Sequence, residues 1–150
     1  MASGRWIWLI PKFDDKGNRL EETHIFKKDE IPRDTSLEAL AGLKPVARED
    51  GIHTAGTSSQ IADGASALLM MTESKAKELG VIPLAKIVDA ELVGCDPVLM
   101  LEGPIPVTEK MLTKTGLDIN DIDVFEINEA FASVVISWAK SVGADMNKVN

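Results

Sequence analysis

Between residues 65 and 143 one pattern occurs three times, and it constrains the fold more than any other feature of the chain: an apolar run, a capping residue, a helical stretch and a glycine. In the first unit Ala67-Leu68-Leu69-Met70-Met71 precedes Thr72, a helix is expected over 73–79, and Gly80 follows as its C′ residue. In the second, a strand is expected over 85–93, Gly103-Pro104-Ile105-Pro106 reads as a rigid turn, Thr108 caps a helix over 109–115, and Gly116 stops it. In the third, 123–127 is strand-like, Asn128 is a suitable N-cap, and a helix over 129–142 ends at Gly143. This alternation predicts an α/β fold, with parallel strands joined by right-handed crossovers. In such layers ligands gather where strands end and helices begin. Asn128-Glu129 stands at such a junction.

The preceding sequence is less regular. Residues 1–34 are expected to be loop or short strand, with a turn at Asp14-Asp15-Lys16-Gly17-Asn18 and a polar run Lys27-Lys28-Asp29-Glu30 before Pro32. Thr35 and Glu38 form a capping-box pattern, so a short helix is expected through Leu37, Leu40, Ala41 and Lys44 before Pro45. From Gly51 to Gly64 the text GIHTAGTSSQIADG is too rich in Gly, Ser and Thr for a regular element and too poor in charge for a linker. It reads as an ordered loop.

Composition then narrows the function. At 150 residues, 45% of them apolar, the chain can bury a core, which excludes disorder and coiled coil. A net charge of −8 argues against binding nucleic acid or an anionic membrane surface. The run Trp6-Ile7-Trp8-Leu9-Ile10 is closed by Pro11, and the longest uncharged apolar stretch, 130–139, is about half of the ~20 residues that cross a bilayer. Neither a signal peptide nor a membrane span is expected. Met1-Ala2-Ser3-Gly4 reads as an imposed start. The single cysteine, Cys95, permits no internal disulfide and no cysteine-based zinc site, and a reducing, cytoplasmic setting is expected.

Most motifs with a known chemistry are absent. There is no Walker A, GxGxxG, HExxH or GxSxG string. Asp118, Asn120, Asp121 and Glu129 imitate a calcium loop, but Asp123 stands where the sharp turn needs glycine. His24 and His53 have no acid or cysteine at ligand spacing, so no metal site is expected. Cys95 follows Gly94 in a turn beside Asp96, without the helix N-terminus or neighbouring base that activates a thiolate. The stripe Phe131, Val134, Val135, Trp138 has the spacing of a core face.

Three strings taken together say more. His53-Thr54-Ala55-Gly56-Thr57-Ser58-Ser59-Gln60-Ile61-Ala62-Asp63-Gly64-Ala65, Gly103-Pro104-Ile105-Pro106 and Asn128-Glu129-Ala130-Phe131-Ala132, in this order and spacing, resemble the thiolase family of acyl-CoA C-acyltransferases, over about residues 28–150. The resemblance implies a thiolase-like layered α/β fold and coenzyme A or acyl-CoA as substrate, with no covalently bound cofactor. It implies that Asn128 holds a water which, with a histidine elsewhere, forms an oxyanion hole for the thioester enolate. A neutral amide suits that task because it orients a donor toward developing charge without titrating. Glu129 is a candidate orienter of the site, or a first-turn carboxylate favoured by the helix dipole. By the same resemblance Ala55, Gly56 and Ser59 lie along the pantetheine arm, Arg33 meets the adenine and phosphate end, and Met100, Ala130 and Phe131 line the acyl-thioester pocket.

The departures from the family pattern bear on activity. Thr57 stands where many members carry Asn, and the family's nucleophilic Cys, its Gly-His-Pro histidine and its second, acid/base Cys have no counterpart in this sequence; Cys95 matches neither cysteine. The expectation is therefore an internal fragment. Residues 1–60 would be the end of the loop domain, 61–81 the last strand and helix of the N-terminal half, and 82–150 the start of the C-terminal half. The parent would transfer acyl groups by ping-pong chemistry, as a homo-oligomer, while this chain alone would be inactive. The alternative is a non-catalytic coenzyme A-binding or assembly module that pairs with a nucleophile-bearing thiolase chain. Missing sheet neighbours would leave the isolated chain marginal and prone to self-association.

Overall fold

The computed structural model describes residues 8–26, 28–29, 31–62 and 64–150. Met1-Ala2-Ser3-Gly4, Trp6 and Ile7 of the N-terminal apolar run, Lys27 and Glu30 of the polar run, and Asp63 lie outside the described residues. The chain divides into two units, Met1–Leu40 and Ala41–Asn150.

The first unit is built on an antiparallel hairpin of β1 (Trp8–Phe13) and β2 (Arg19–Phe26). The expected turn closes it: Asp14 Oδ1 accepts from the N–H groups of Lys16 and Asn18, and Gly17 takes φ 80°. Register sets Leu9 opposite Ile25 and Pro11 opposite Thr23, with an irregularity between Pro11 and Phe13. Pro11 lies inside the strand rather than ending it. A strand paired on one side tolerates a residue that cannot donate. The short helix α1 (Leu37–Ala41) follows, and it is Ser36 Oγ that accepts from Ala39 N–H, so Ser36 takes the capping position expected of Thr35.

In the second unit, α2 (Glu73–Leu79) forms as its sequence predicts. Thr72 Oγ1 accepts from Lys75 N–H, and Gly80, at φ 64°, donates back to the carbonyls of Ala76 and Lys77. The next helix differs from expectation. Helix α3 (Pro104–Thr115) already begins at Pro104, so Gly103-Pro104-Ile105-Pro106 is its first turn and its entry rather than a turn before it. Proline at N1 has the helical φ and gives up only a donor that would have no partner there. Thr108 consequently sits inside the helix, where its hydroxyl donates to the Pro104 carbonyl at 2.7 Å.

Helix α4 (Ala132–Val142) begins later than expected, with Phe131 and not Asn128 as N-cap. The cause is tertiary. Ala130 O accepts from Ser59 N–H at 3.0 Å, and Ala132 N–H donates to Thr57 O at 2.9 Å, so these groups bond the 54–59 loop instead of a longer helix. Gly143, at φ 72°, ends α4 as predicted.

The apolar runs at 67–71, 85–93 and 123–127 are not ladder strands; among the described residues the β1–β2 hairpin is the one sheet. Phe125 makes a single parallel bridge to Val149. A strand exists through its neighbour's backbone hydrogen bonds; none is made by 67–71 or 85–93 among the described residues, and 123–127 has only the pair through which Phe125 meets Lys148 O and Asn150 N–H. Their side chains are accordingly open: Leu68, Leu69, Ile87, Leu92 and Val124 are all exposed. The core lies instead between α3 and α4. Val134, Val135, Trp138 and Ala139 are buried, with Trp138 1% exposed and the Phe125 ring edge-on to it at 5.1 Å. No helix of the described residues is long and apolar enough to cross a membrane.

Candidate functional site

The string from His53 to Gln60 is an ordered turn anchored at both ends. Val46 N–H donates to His53 O, and Thr54 bridges to Pro45. Thr57 N–H closes the turn on Thr54 O at 3.0 Å, and Ser58 Oγ donates to the same carbonyl at 2.7 Å. Thr57 Oγ1 in turn accepts from Thr54 N–H at 2.9 Å. Small polar side chains thereby satisfy a loop backbone that no sheet supports. Ala55 and Gly56 form the exposed tip of the turn. Thr57, the departure from the family pattern, is thus a structural part of this turn.

The same loop runs antiparallel to the segment entering α4. Ser58 bridges Phe131, and the Ser59–Ala130 and Thr57–Ala132 hydrogen bonds flank that bridge. Ser59 spends its backbone N–H here while the residue stays exposed. The rings of His53 and Phe131 meet at a centroid distance of 4.9 Å with 50° between their planes.

Asn128 and Glu129 are exposed in the turn before Phe131, and Asn128 O accepts from Ala130 N–H at 3.0 Å. Asn128 also lines an open groove of about 400 Å³ together with Leu92, Gly103, Pro104, Thr108 and Ile127. Motifs that are far apart in sequence therefore converge: Asn128 and the Gly103-Pro104 pair line one groove, while Ala130 and Phe131 are held by the 54–59 loop. Met100 is not among the groove residues. It is exposed at φ 51°, beside Leu101 at φ 46°, in a loop whose Asp96 carboxylate accepts from Val98 and Leu99 N–H. Arg33, exposed, belongs to the first unit.

The charges around the groove are committed to structure. Glu91, at its edge, is bound by Lys110 at 2.7 Å and Lys114 at 2.9 Å, and Lys114 also reaches Asp89 at 2.7 Å. Hydrogen bonds from Lys110 and then Lys114 pull the Glu91 carboxyl down to about 2. Hydrogen bonding to Asp89 and then Glu91 raises Lys114. Glu126 accepts from the Asn150 side chain. The calcium-like carboxylates have backbone duties too: Asp118 accepts from Asn120 N–H, and Asp121 accepts from Asp118 N–H. Among the described residues no cluster of His, Cys, Asp and Glu is placed to hold a metal ion. Cys95 is exposed.

Two residues of this region are given no functional role by the sequence. His53 lacked any ligand spacing, and its contact with Phe131 spans too many residues for a local pattern to reveal. Thr108 read as a helix cap, yet its hydroxyl accepts the indole N–H of Trp138 at 2.9 Å.

Comparison with known proteins identifies the family. Residues 11–74 match the thiolase N-terminal domain and residues 81–150 the thiolase C-terminal domain. The steroid 3-ketoacyl-CoA thiolase of Mycobacterium tuberculosis is 52% identical over 129 residues, which are 86% of this chain and 31% of that protein. The crystal structure of the Bacillus anthracis acetyl-CoA acetyltransferase superposes with a TM-score of 0.88 at 42% identity, covering 97% of this chain and 35% of that one. Human mitochondrial 3-ketoacyl-CoA thiolase in complex with CoA gives a TM-score of 0.79 at 40% identity, covering 83% of this chain and 32% of that one. The chain spans about a third of the length of these relatives. With both domain models matched in order, and a layered α/β thiolase fold shared at this level of identity, the chain belongs to the thiolase family.

Proposed function

We propose that this chain supplies one wall of the acyl-CoA site of a thiolase-type C-acyltransferase, acting in 3-ketoacyl-CoA thiolysis or acetyl-CoA condensation. The observation that carries this reading is the pairing of the Ala55-Gly56-Ser59 loop with the segment after Asn128, through the 3.0 Å hydrogen bond from Ser59 N–H to Ala130 O. A pantetheine arm laid along the exposed turn tip would bring its thioester toward Asn128. There the side-chain amide of Asn128 holds a water that donates to the enolate oxygen as charge develops, and Glu129 orients the segment. Donors fixed before the reaction are effective because they need not reorganise when charge appears. Ser59 offers its exposed hydroxyl to the pantetheine, Arg33 a positive charge to the phosphates, and Met100, Ala130 and Phe131 apolar surface to the acyl group. The same reading divides the chain at 1–60, 61–81 and 82–150.

Acyl transfer also needs a thiolate nucleophile and a base. Cys95 is exposed and lies outside the motifs, so the chain by itself binds without turning over. Isothermal titration of the 150-residue chain with coenzyme A, alongside a thiolysis assay with acetoacetyl-CoA, tests both halves. Saturable binding weakened by replacing Ser59 with Ala, and no turnover, is the expected result. Absence of binding overturns the first half, and turnover abolished by Cys95→Ser overturns the second.

The exposed apolar side chains of segments 67–71 and 85–93 favour one further reading, a non-catalytic module that pairs with a nucleophile-bearing thiolase chain. Co-elution with such a chain on size exclusion, with recovery of activity, would support it.

A further inference from the structure

Two of the contacts between the 53–59 loop and the 128–132 segment are backbone hydrogen bonds, which most side chains would allow. The third, His53 against Phe131, depends on the side chains themselves. Both rings are mounted on anchored backbone. His53 O accepts from Val46 N–H at 2.9 Å, and Phe131 is the extended N-cap of α4, at φ −144°, whose buried face is fixed by Trp138. Between the Phe125 bridge and this N-cap, Asn128, Glu129 and Ala130 belong to no helix or strand. Phe131 is one of the two ends that hold this short span, so its placement bears directly on where Asn128 stands.

We propose that His53 is a positioning residue, whose ring holds Phe131 and so ties the turn at Ala55-Gly56 and the segment carrying Asn128 into one mechanical unit. The ligand side of this inference rests on the acyl-CoA reading above. Tilted ring pairs of this kind contribute beyond simple burial, by about 0.5–1.5 kcal/mol, which corresponds to roughly 2- to 13-fold in an opening equilibrium. Occupation of the turn would then be felt at Asn128 without any contact between the ligand and His53.

Hydrogen exchange followed by mass spectrometry on the 150-residue chain tests this with His53→Ala, His53→Phe and His53→Leu. Without ligand, His53→Ala should speed exchange in 54–60 and in 128–133 by roughly 2- to 13-fold, His53→Phe should restore protection, and 134–142 should be unchanged. Equal exchange in His53→Ala and the parent chain overturns the proposal. If His53→Ala also opens 134–142, the comparison of Phe with Leu decides: protection kept by the ring and lost with leucine supports it, and equal protection overturns it. With coenzyme A added, the parent chain should gain protection in both segments and His53→Ala in 54–60 alone; equal gains in both chains overturn the coupling. No response of the parent chain to coenzyme A removes the acyl-CoA reading instead, while the ligand-free comparison still decides the role of His53.

Discussion

The indole N–H of Trp138 donates to Thr108 Oγ1 at 2.9 Å, and the same hydroxyl donates to Pro104 O at 2.7 Å, so one threonine links the buried face of α4 to the first turn of α3. Thr108→Val keeps the shape and removes both bonds, leaving the Trp138 N–H in the core without this acceptor. The expected loss is about 1–3 kcal/mol, read as a lower urea midpoint with an unchanged slope, with Thr108→Ser retaining most of the stability. A valine variant as stable as the parent chain would contradict it.

The lysines at Glu91 make stability depend on acid. The folded carboxyl is held at about 2 against an ordinary value of 4.5, so its contribution is complete above about 4.5 and is lost as pH falls toward 2. Glu91→Gln should flatten the stability profile in that window, and added salt should do the same because the cluster is partly exposed. Denaturation midpoints measured across pH 2 to 5 would show a glutamine variant as steep as the parent chain if the ion pairs contribute nothing.

Gly80 takes φ 64° in open surroundings, so Gly80→Ala tests backbone strain alone. A cost of roughly 1–2 kcal/mol is expected. Gly94→Ala, equally open and with no positive φ, should be close to neutral. Thermal melts of the two variants side by side separate conformation from packing.

Self-association follows from the apolar surface of the segments that lack ladder partners. Leu68, Leu69, Leu84 and Leu92 are each more than four-fifths exposed, 87%, 83%, 105% and 90% respectively. Sedimentation velocity of the isolated chain should show concentration-dependent species, reduced by replacing Leu68 and Leu92 with Lys. A monomer with a cooperative thermal transition would refute this expectation.

Local chemistry was legible wherever a few neighbouring residues decide the outcome. The cap at Thr72, the left-handed glycines 80, 116 and 143, and the hairpin turn at Asp14 all follow from interactions within a handful of positions. The core stripe was legible too, because Val134, Val135 and Trp138 share a face at helical spacing. The starts of the last two helices depart from the local sequence pattern for opposite reasons. Pro104 and Pro106 look like turn residues, yet both are compatible with a helix's first turn. Asn128 looks like a cap, yet the 54–59 loop takes the backbone groups of Ala130 and Ala132 and shifts the cap to Phe131.

Alternating apolar runs and capped helices by themselves determined an α/β chain, and three short strings carried its resemblance to thiolases, because helix ends and family motifs are written in consecutive residues. Tertiary structure alone decided that His53 meets Phe131, that Ser59 N–H is bonded to Ala130 O, and that Trp138 rests on Thr108. It also decided that 67–71, 85–93 and 123–127 make no ladder here. A strand is a property of two backbones, and a contact between distant residues depends on how the intervening chain folds; neither can be read from one local stretch.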